Sequence, residues 1–252
     1  MPSTPFVRSR LVASVLLLAL FLGGCAAGGD VTRPIPSAFI AAPQPARRTV
    51  VMLPGRGDDL ASLQRRGVEQ AIQSVWPDAD VVLTGLTMPF YRQGRAAQRL
   101  HDEIIEPARA RTRKPIWVAG ISLGGMGAVL YERDYPDRLD GILLLSPYLG
   151  EDAIQDEIRA AGGLASWNPG PPRPMGPDTF QRELWRTLKA CSSDPARVRS
   201  VWLAYGEGEP FRVPIELMSG QLPADHVILL PGKHDWDLWN PALRALLERA
   251  DK

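Results

Sequence analysis

The chain has 252 residues, and its 29 lysines and arginines nearly balance 28 aspartates and glutamates. This length suits one α/β domain with additions better than two complete domains. Because no long run of either charge occurs, the sequence gives no indication of the basic surface that nucleic-acid binding requires and favours a small neutral partner.

The first 24 residues have the pattern of an export signal. Two arginines precede the apolar stretch 11–22, which is too short for a convincing transmembrane helix, since such a helix needs about 20 apolar residues. The stretch runs into LGGC (22–25), which resembles the lipobox of bacterial lipoproteins; the alternative is an ordinary secretory signal with a chance cysteine. The resemblance implies cleavage before Cys25, lipidation of Cys25 and anchoring in the bacterial cell envelope on the periplasmic side. Ala26, which follows the cysteine in place of an aspartate, is compatible with sorting of the lipoprotein to the outer membrane.

The segment after the signal lacks helical or strand periodicity and is rich in Ala, Gly and Pro. Residues 25–47 are therefore predicted to be a flexible tether, and residues 48–252 the folded domain. Cys191 is the only other cysteine, so no internal disulfide can form once Cys25 is lipidated. Cys191 has no nucleophile signature around it, and we expect a buried or partly buried thiol.

Short apolar runs alternate with amphipathic ones through the predicted domain. Strands are predicted at 48–54, 80–86, 115–121, 141–147, 199–206 and 226–232. Helices are predicted at 58–75, 94–112, 122–133 and near the end of the chain, the last one starting at or before the cap residue and proline of Asn240-Pro241. Continuous Val, Ile and Leu runs indicate strands covered on both faces. The repeated βα units predict an α/β fold with a mainly parallel sheet of about six strands.

One segment interrupts this alternation. Residues 148–197 insert about 50 residues where a short crossover would suffice, with helical patterns near 152–161 and 178–190. Such long excursions are usually lids, binding loops or disordered. Because the segment contains the large aromatic residues Trp167, Phe180 and Trp185, we expect an ordered cap.

Ser122 stands at the centre of GISLG, between a predicted strand and a predicted helix. A GxSxG match alone is weak, because it occurs by chance in roughly one chain in ten of this length. Its position strengthens it, because a sharp strand-to-helix turn holds a serine hydroxyl above the sheet while glycines such as Gly120 and Gly124 permit close approach. The alternative is a serine that only caps the helix.

A serine nucleophile requires a base, and the chain contains three histidines. His101 falls within a helical pattern, and His226 opens a strand where local bonding is expected. His234 follows the last strand, so it reaches the same carboxyl-terminal sheet edge as Ser122. We therefore predict His234 as the base.

The carboxylate that orients the histidine is expected between the serine and the histidine in chain order. Glu207 and Glu209, after the strand 199–206, are the candidates. Asp225 lies at the wrong end of its strand, and Asp235 is more naturally a helix-start residue.

An oxyanion also needs backbone donors. The amide of Leu123, at a helix start, is one candidate, and the amide of Arg56, in the flexible loop Gly55-Arg56-Gly57, is the other. The alternative is that this glycine pair belongs to a phosphate-binding loop, but the sequence after it lacks the lysine and the serine or threonine that such a loop requires.

Residues 48–250 resemble the α/β-hydrolase fold family in its smaller, six-stranded form. The residues that carry the resemblance are LPGR (53–56), GISLG (120–124), Gly206 with Glu209, and GKHDW (232–236). The histidine loop HDWxxW is similar to that of esterase D-like carboxylesterases. The resemblance implies that Glu209, three residues after Gly206, is the acid, with Glu207 as the alternative. Pro54 stands where many members have histidine, and glutamate replaces the commoner aspartate.

These residues predict a lipid-anchored serine hydrolase that cleaves a small-molecule ester or thioester through an acyl-enzyme, without cofactor or metal. An acyltransferase or amidase could use the same residues. A non-catalytic binding lipoprotein is the alternative from a different class.

Overall fold

The computed structural model describes residues 28–251, so the predicted signal and Cys25 lie outside the described residues. One sheet organises the fold. Its strands are Ser37–Ile40 (β1), Arg48–Leu53 (β2), Ala79–Thr84 (β3), Ile116–Ile121 (β4), Gly141–Leu145 (β5), Val201–Gly206 (β6) and Val227–Leu230 (β7). Their spatial order is β1-β3-β2-β4-β5-β6-β7. Only β1 is antiparallel to its neighbour, which makes the sheet mainly parallel, as predicted.

Helices cover both faces of this sheet. They are Leu60–Arg65 (α1), Val68–Gln73 (α2), Met88–Arg92 (α3), Ala96–Leu100 (α4), Glu106–Thr112 (α5), Leu123–Asp134 (α6), Asp152–Ala160 (α7), Phe180–Ser192 (α8), Pro195–Arg199 (α9), Arg212–Ser219 (α10) and Trp236–Ala250 (α11). A π-helical turn, His101–Ile105, joins α4 to α5, and a 3₁₀ turn, Ala224–His226, precedes β7. Within residues 28–251, no helix has the length and apolar character needed to cross a bilayer.

The central strands are buried on both faces, as their continuous apolar runs predicted. In β2, Val51 and Leu53 face one core with α4, α6 and α8, while Val50 and Met52 face the other with α1, α2 and α11. All four side chains are fully buried. Successive residues therefore belong to two separate apolar layers, the alternation expected of a strand between helices.

The sheet has seven strands instead of about six, because the predicted tether contributes one. β1 pairs with β3, and the N–H of Gly85 donates to Pro36 O at 2.7 Å. Before it, Ile35 is buried, its N–H donates to Glu103 Oε2 at 2.6 Å, and the Arg99 guanidinium donates to Val31 O at 2.7 Å. Residues 31–40 thus pack on the domain, and the expectation of a tether extending to residue 47 is wrong for them.

One helix prediction needs correction, and so does the cap assigned to the last helix, although its start agrees with the expectation of at or before Asn240. The predicted helix 58–75 is divided into α1 and α2 by Gly67, whose left-handed φ of +64° interrupts the helical backbone. The last helix begins at Trp236, because the Asp235 carboxylate accepts a hydrogen bond from the Asp237 N–H and caps it. Pro241 consequently lies inside the helix and not at its first position.

The inserted segment 148–197 contains α7 and α8, at the two predicted helical patterns. Trp167 and Trp185 are buried, with indole N–H groups donating to Glu157 Oε1 at 3.1 Å and to Leu149 O at 2.8 Å. These hydrogen bonds stabilise the segment internally, and both tryptophans belong to the same apolar core as the buried residues of α6.

Candidate active site

Ser122 occupies the sharp turn between β4 and α6. Its backbone has φ +50° and ψ −109°, a strained conformation for a residue with a side chain. Two backbone hydrogen bonds of 2.9 Å hold it there: the Ser122 N–H donates to Leu145 O, and the Tyr148 N–H donates to Ser122 O. The Ser122 side chain makes no cap hydrogen bond to α6, which excludes the interpretation of this serine as only a helix cap.

Two glycines make this turn sterically feasible. A Cβ on Gly120 would lie 2.4 Å from Gly124 O, and a Cβ on Gly124 would lie 2.4 Å from Leu53 O. Both contacts are with backbone atoms of central elements, which cannot move aside. The predicted close approach of strand and helix on both sides of Ser122 is therefore confirmed.

The hydroxyl of Ser122 lies beside His234, which the loop between β7 and α11 carries. Ser122 Oγ is 2.9 Å from His234 Nε2, and His234 Nδ1 is 2.6 Å from Glu209 Oε1. The side chain of Glu209 is fully buried, whereas that of His234 is 20% exposed. A buried carboxylate hydrogen-bonded to the histidine ring fixes the orientation of that ring, with Nε2 directed at Ser122 Oγ.

The structure separates Glu209 from the other candidate acids. Glu207 is exposed, and its N–H donates to Leu230 O at 2.9 Å. Asp225 is exposed at the amino end of β7, and Asp235 caps α11. Glu209 is thus the carboxylate that lies against His234.

The other two histidines have local partners away from Ser122. His101 Nδ1 is 3.0 Å from the Tyr131 hydroxyl, and the ring stacks on Tyr135 at 3.9 Å. His226 stacks on Trp202 at 3.7 Å, and its Nδ1 lies 2.9 Å from Val201 O. The local bonding expected for His226 is confirmed.

The histidine loop is tied to the loop after β2. The Trp236 indole N–H donates to Asp58 Oδ1 at 3.2 Å. Trp239 packs edge-on against the His234 ring, with 5.0 Å between the ring centroids. Phe211 contacts the same ring edge-on at 5.1 Å. The two tryptophans of HDWxxW therefore position the imidazole and connect it to the segment that carries Arg56.

Leu123 and Arg56, the predicted oxyanion donors, line the same cavity as Ser122. Leu123 is the first residue of α6, where backbone amides are free of intrahelical partners and the helix dipole favours negative charge. Arg56 lies in a turn that the Asp58 N–H closes by donating to Gly55 O at 3.1 Å.

This cavity has a volume of about 440 Å³ and is bounded by α3, α4, α6 and the inserted segment. Of the three aromatic residues expected in the cap, Phe180 lines it, while Trp167 and Trp185 belong to the core. On α3, Tyr91 also lines the cavity and Phe90 is part of the core. Tyr148 and Phe211 also line it and were not predicted. Their positions, just after β5 and β6 at the carboxyl edge of the sheet, were the available signal.

The cavity walls hold tyrosines that stay protonated at neutral pH. Burial raises the pKa of the Tyr91 hydroxyl. Burial also raises the pKa of Tyr148, Glu151 adds to the increase and Arg56 opposes it. Ionised phenolates are therefore disfavoured next to Ser122.

Cys191 is partly buried and free, as predicted, and burial raises the pKa of its thiol. Among residues 28–251, no group of three or more histidine, cysteine, aspartate or glutamate side chains is arranged to hold a metal ion.

Comparisons with known proteins identify the family and the fold of the chain. Residues 95–250 match the sequence family described as "Putative esterase". No curated relative matches the chain by sequence.

Solved structures of similar fold include MPT51 of Mycobacterium tuberculosis, with TM-score 0.62 and 18% identity over 90% of this chain and 94% of that one. The fluorophosphonate-binding serine hydrolase FphF of Staphylococcus aureus, in a substrate-bound structure, has TM-score 0.57 and 12% identity over 87% of this chain and 100% of that one. The monoacylglycerol lipase of Paleococcus ferrophilus has TM-score 0.53 and 15% identity over 86% and 100%. At these identities, the likeness to all three is one of fold, that of α/β-hydrolases.

Proposed function

The chain belongs to the esterase family and has an α/β-hydrolase fold, and from this premise we propose that it is a serine hydrolase of carboxylic esters or thioesters acting through Ser122, His234 and Glu209. The observation that carries the proposal is the 2.9 Å contact between Ser122 Oγ and His234 Nε2. A serine hydroxyl is a weak nucleophile until such a base takes its proton.

In the first half-reaction, Ser122 Oγ attacks the substrate carbonyl carbon while His234 Nε2 accepts the hydroxyl proton. Glu209 holds the Nδ1–H of His234 and stabilises the imidazolium. The amides of Leu123 and Arg56 donate to the oxyanion. The bond to the alcohol or thiol then breaks, the leaving group takes the proton from His234, and the acyl group remains on Ser122.

In the second half-reaction, water replaces the leaving group. His234 accepts a proton from the water as its oxygen attacks the acyl carbon, and returns that proton to Ser122 Oγ as the ester bond to the enzyme breaks. The products are the free acid and the regenerated serine.

The test is hydrolysis of p-nitrophenyl butyrate by the wild-type protein and by Ser122→Ala. Because the serine and its base act as a unit, Ser122→Ala is expected to lower kcat by about 10⁴-fold to 10⁶-fold. Ser192→Ala, a partly buried serine of α8 whose hydroxyl donates to Lys189 O, is the matched control and keeps the wild-type rate. A Ser122→Ala protein with the wild-type rate would refute the mechanism.

We also propose that a lipid on Cys25 holds the enzyme in the bacterial cell envelope. The support is the sequence alone, in which an apolar stretch with two preceding arginines runs into LGGC (22–25). In this arrangement the domain acts on substrates at or near a membrane surface.

A further inference from the structure

The cavity at Ser122 extends along the whole length of α6. The residues of this helix and its cap that line it are Ser122, Leu123, Met126, Leu130 and Asp134. Their spacing of three or four places them on one face of the helix. With a rise of 1.5 Å per residue, the 12 steps from Ser122 to Asp134 span roughly 18 Å. The cavity is therefore long in the direction of the helix axis.

The walls of this groove are mainly apolar and adaptable. Met88 on α3 and Met175 and Phe180 in the inserted segment face the groove together with Met126 and Leu130. Methionine side chains fill irregular space and adjust to ligands of different shape. Small residues on α4, Ala96 and Ala97, also line the groove, so that wall has no bulky side chain at these positions. Such a groove suits a flexible hydrocarbon chain.

The far end of the groove opens to solvent. Asp134, the last residue of α6, lines the groove at this end and is exposed, and Arg92 on α3 is a second exposed, charged residue of the groove lining. Charged side chains stay hydrated, so they mark where an apolar chain leaves the protein. The groove consequently has no apolar wall that would restrict the site to acetyl or butyryl groups.

The position of His234 assigns this groove to the acyl side of the ester. In the proposed mechanism His234 donates its proton to the leaving oxygen, so the leaving group lies on the histidine side of Ser122. Among the described residues, those that line the groove include Ser122 and Leu123, whereas His234 and Glu209 are outside that set. The acyl group, which stays on Ser122, is the part that extends along α6.

We propose that the substrate carries a medium to long acyl chain, lying along α6 from Ser122 past Leu130. This inference rests on the proposed serine hydrolase function. The eight steps of the helix from Ser122 to Leu130 cover about 12 Å, the length of an extended acyl chain of roughly eight to ten carbons. Longer chains extend past Asp134 into solvent.

The first test compares kcat/KM for p-nitrophenyl acetate, butyrate, octanoate and dodecanoate, each below its micellar concentration. Each methylene buried in an apolar groove increases transition-state binding, so kcat/KM is expected to rise at least about tenfold from butyrate to octanoate. Equal values, or a fall from acetate onward, would overturn the acyl-groove proposal while leaving the serine hydrolase function intact. Failure to cleave any of the four esters would count against both.

The second test narrows the groove. Leu130→Trp is expected to lower the ratio of dodecanoate to butyrate kcat/KM by about tenfold or more, since the larger ring fills the path of the chain. Met126→Trp, one turn nearer Ser122, is expected to lower the octanoate to butyrate ratio as well. Glu248→Trp, exposed on α11 at the opposite face of the sheet, is the matched control and keeps the wild-type ratios.

A second variant tests the same proposal if Leu130→Trp does not fold. Ala97→Phe narrows the groove from the α4 wall and is expected to produce the same selective loss with the dodecanoate ester. Wild-type ratios in a folded Leu130→Trp or Ala97→Phe protein would overturn the proposal. Circular dichroism of each variant establishes that it is folded.

Discussion

At the scale of single residues, the backbone of Ser122 is strained, and its surroundings must stabilise that conformation. A residue with a side chain at φ +50° costs about 1–3 kcal/mol, and surrounding contacts must offset it. The hydrogen bonds to Leu145 O and from the Tyr148 N–H, together with the space left by Gly120 and Gly124, do so. The strain holds the hydroxyl toward His234 and away from the helix amides.

The sequence was sufficient to predict Ser122 and His234 but left the acid open. The motif GISLG identifies its own serine, and only one of three histidines follows the last strand. Glu207 and Glu209, by contrast, lie two residues apart on one short loop, and the residues beside them do not distinguish one from the other. Which carboxylate faces the imidazole depends on how the loop turns after β6, and the sequence does not encode this in a local pattern.

Replacement of the buried acid tests this assignment. Glu209→Gln keeps the size of the side chain but removes the charge that stabilises the imidazolium, so kcat is expected to fall by about 10²-fold to 10⁴-fold. Glu207→Gln, two residues away and exposed, is the matched control and is expected to stay within about twofold of the wild type. Steady-state kinetics with p-nitrophenyl butyrate measure both. A large fall in kcat for Glu207→Gln, with a wild-type kcat for Glu209→Gln, would identify Glu207 as the acid instead.

At the scale of elements, the packing of α6 against β2 and β4 determines where the nucleophile sits. Backbone approaches backbone at Gly124, which leaves no room for a Cβ next to Leu53 O. The shape of the turn is therefore part of the core and not a local property of a loop.

Gly124→Ala is expected to destabilise the domain by about 3 kcal/mol or more, because a Cβ 2.4 Å from Leu53 O forces apart two central elements. Gly57→Ala is the matched control, since a Cβ there meets nothing within 4 Å, and its expected change is within about 0.5 kcal/mol. Denaturant unfolding followed by circular dichroism measures both. Equal stability of the two variants would contradict the close approach.

Most elements were predictable from periodicity, and the exceptions have physical causes. β1 has four residues of alternating exposure, and a proline-rich sequence surrounds it, so neither length nor a continuous apolar run marked it. It forms because Ser37 to Ile40 pair with the edge of β3. The division of the helix 58–75 depends on the left-handed φ of Gly67, and a single glycine inside a helical pattern does not predict that.

At the scale of the whole molecule, the substrate cavity is assembled from segments distant in the sequence. α3, α4 and α6 supply three sides, and the inserted segment contributes Met175 and Phe180. Sequence patterns predicted α4 and α6 but not α3, and a cavity depends on how the helices pack together. This is why the acyl groove could be derived only from the structure.

The proposed attachment of the molecule to a membrane has its own test at this scale. Cys25→Ser removes the sulfur that would carry lipid, so the protein is expected to lose incorporated radiolabelled palmitate and to leave the membrane fraction or accumulate uncleaved. Cys191→Ser, the other cysteine of the chain, is the matched control and keeps the wild-type label. Unchanged labelling and fractionation of Cys25→Ser would refute the lipid anchor.

The central claim, that Ser122 is a nucleophile activated by His234, is tested most directly by covalent labelling. The protein is treated with a fluorophosphonate, digested and mapped by mass spectrometry. The account predicts one adduct, on the peptide that contains Ser122, which is absent from Ser122→Ala and strongly reduced in His234→Ala. An unlabelled wild-type protein, or an adduct that persists in Ser122→Ala, would contradict it.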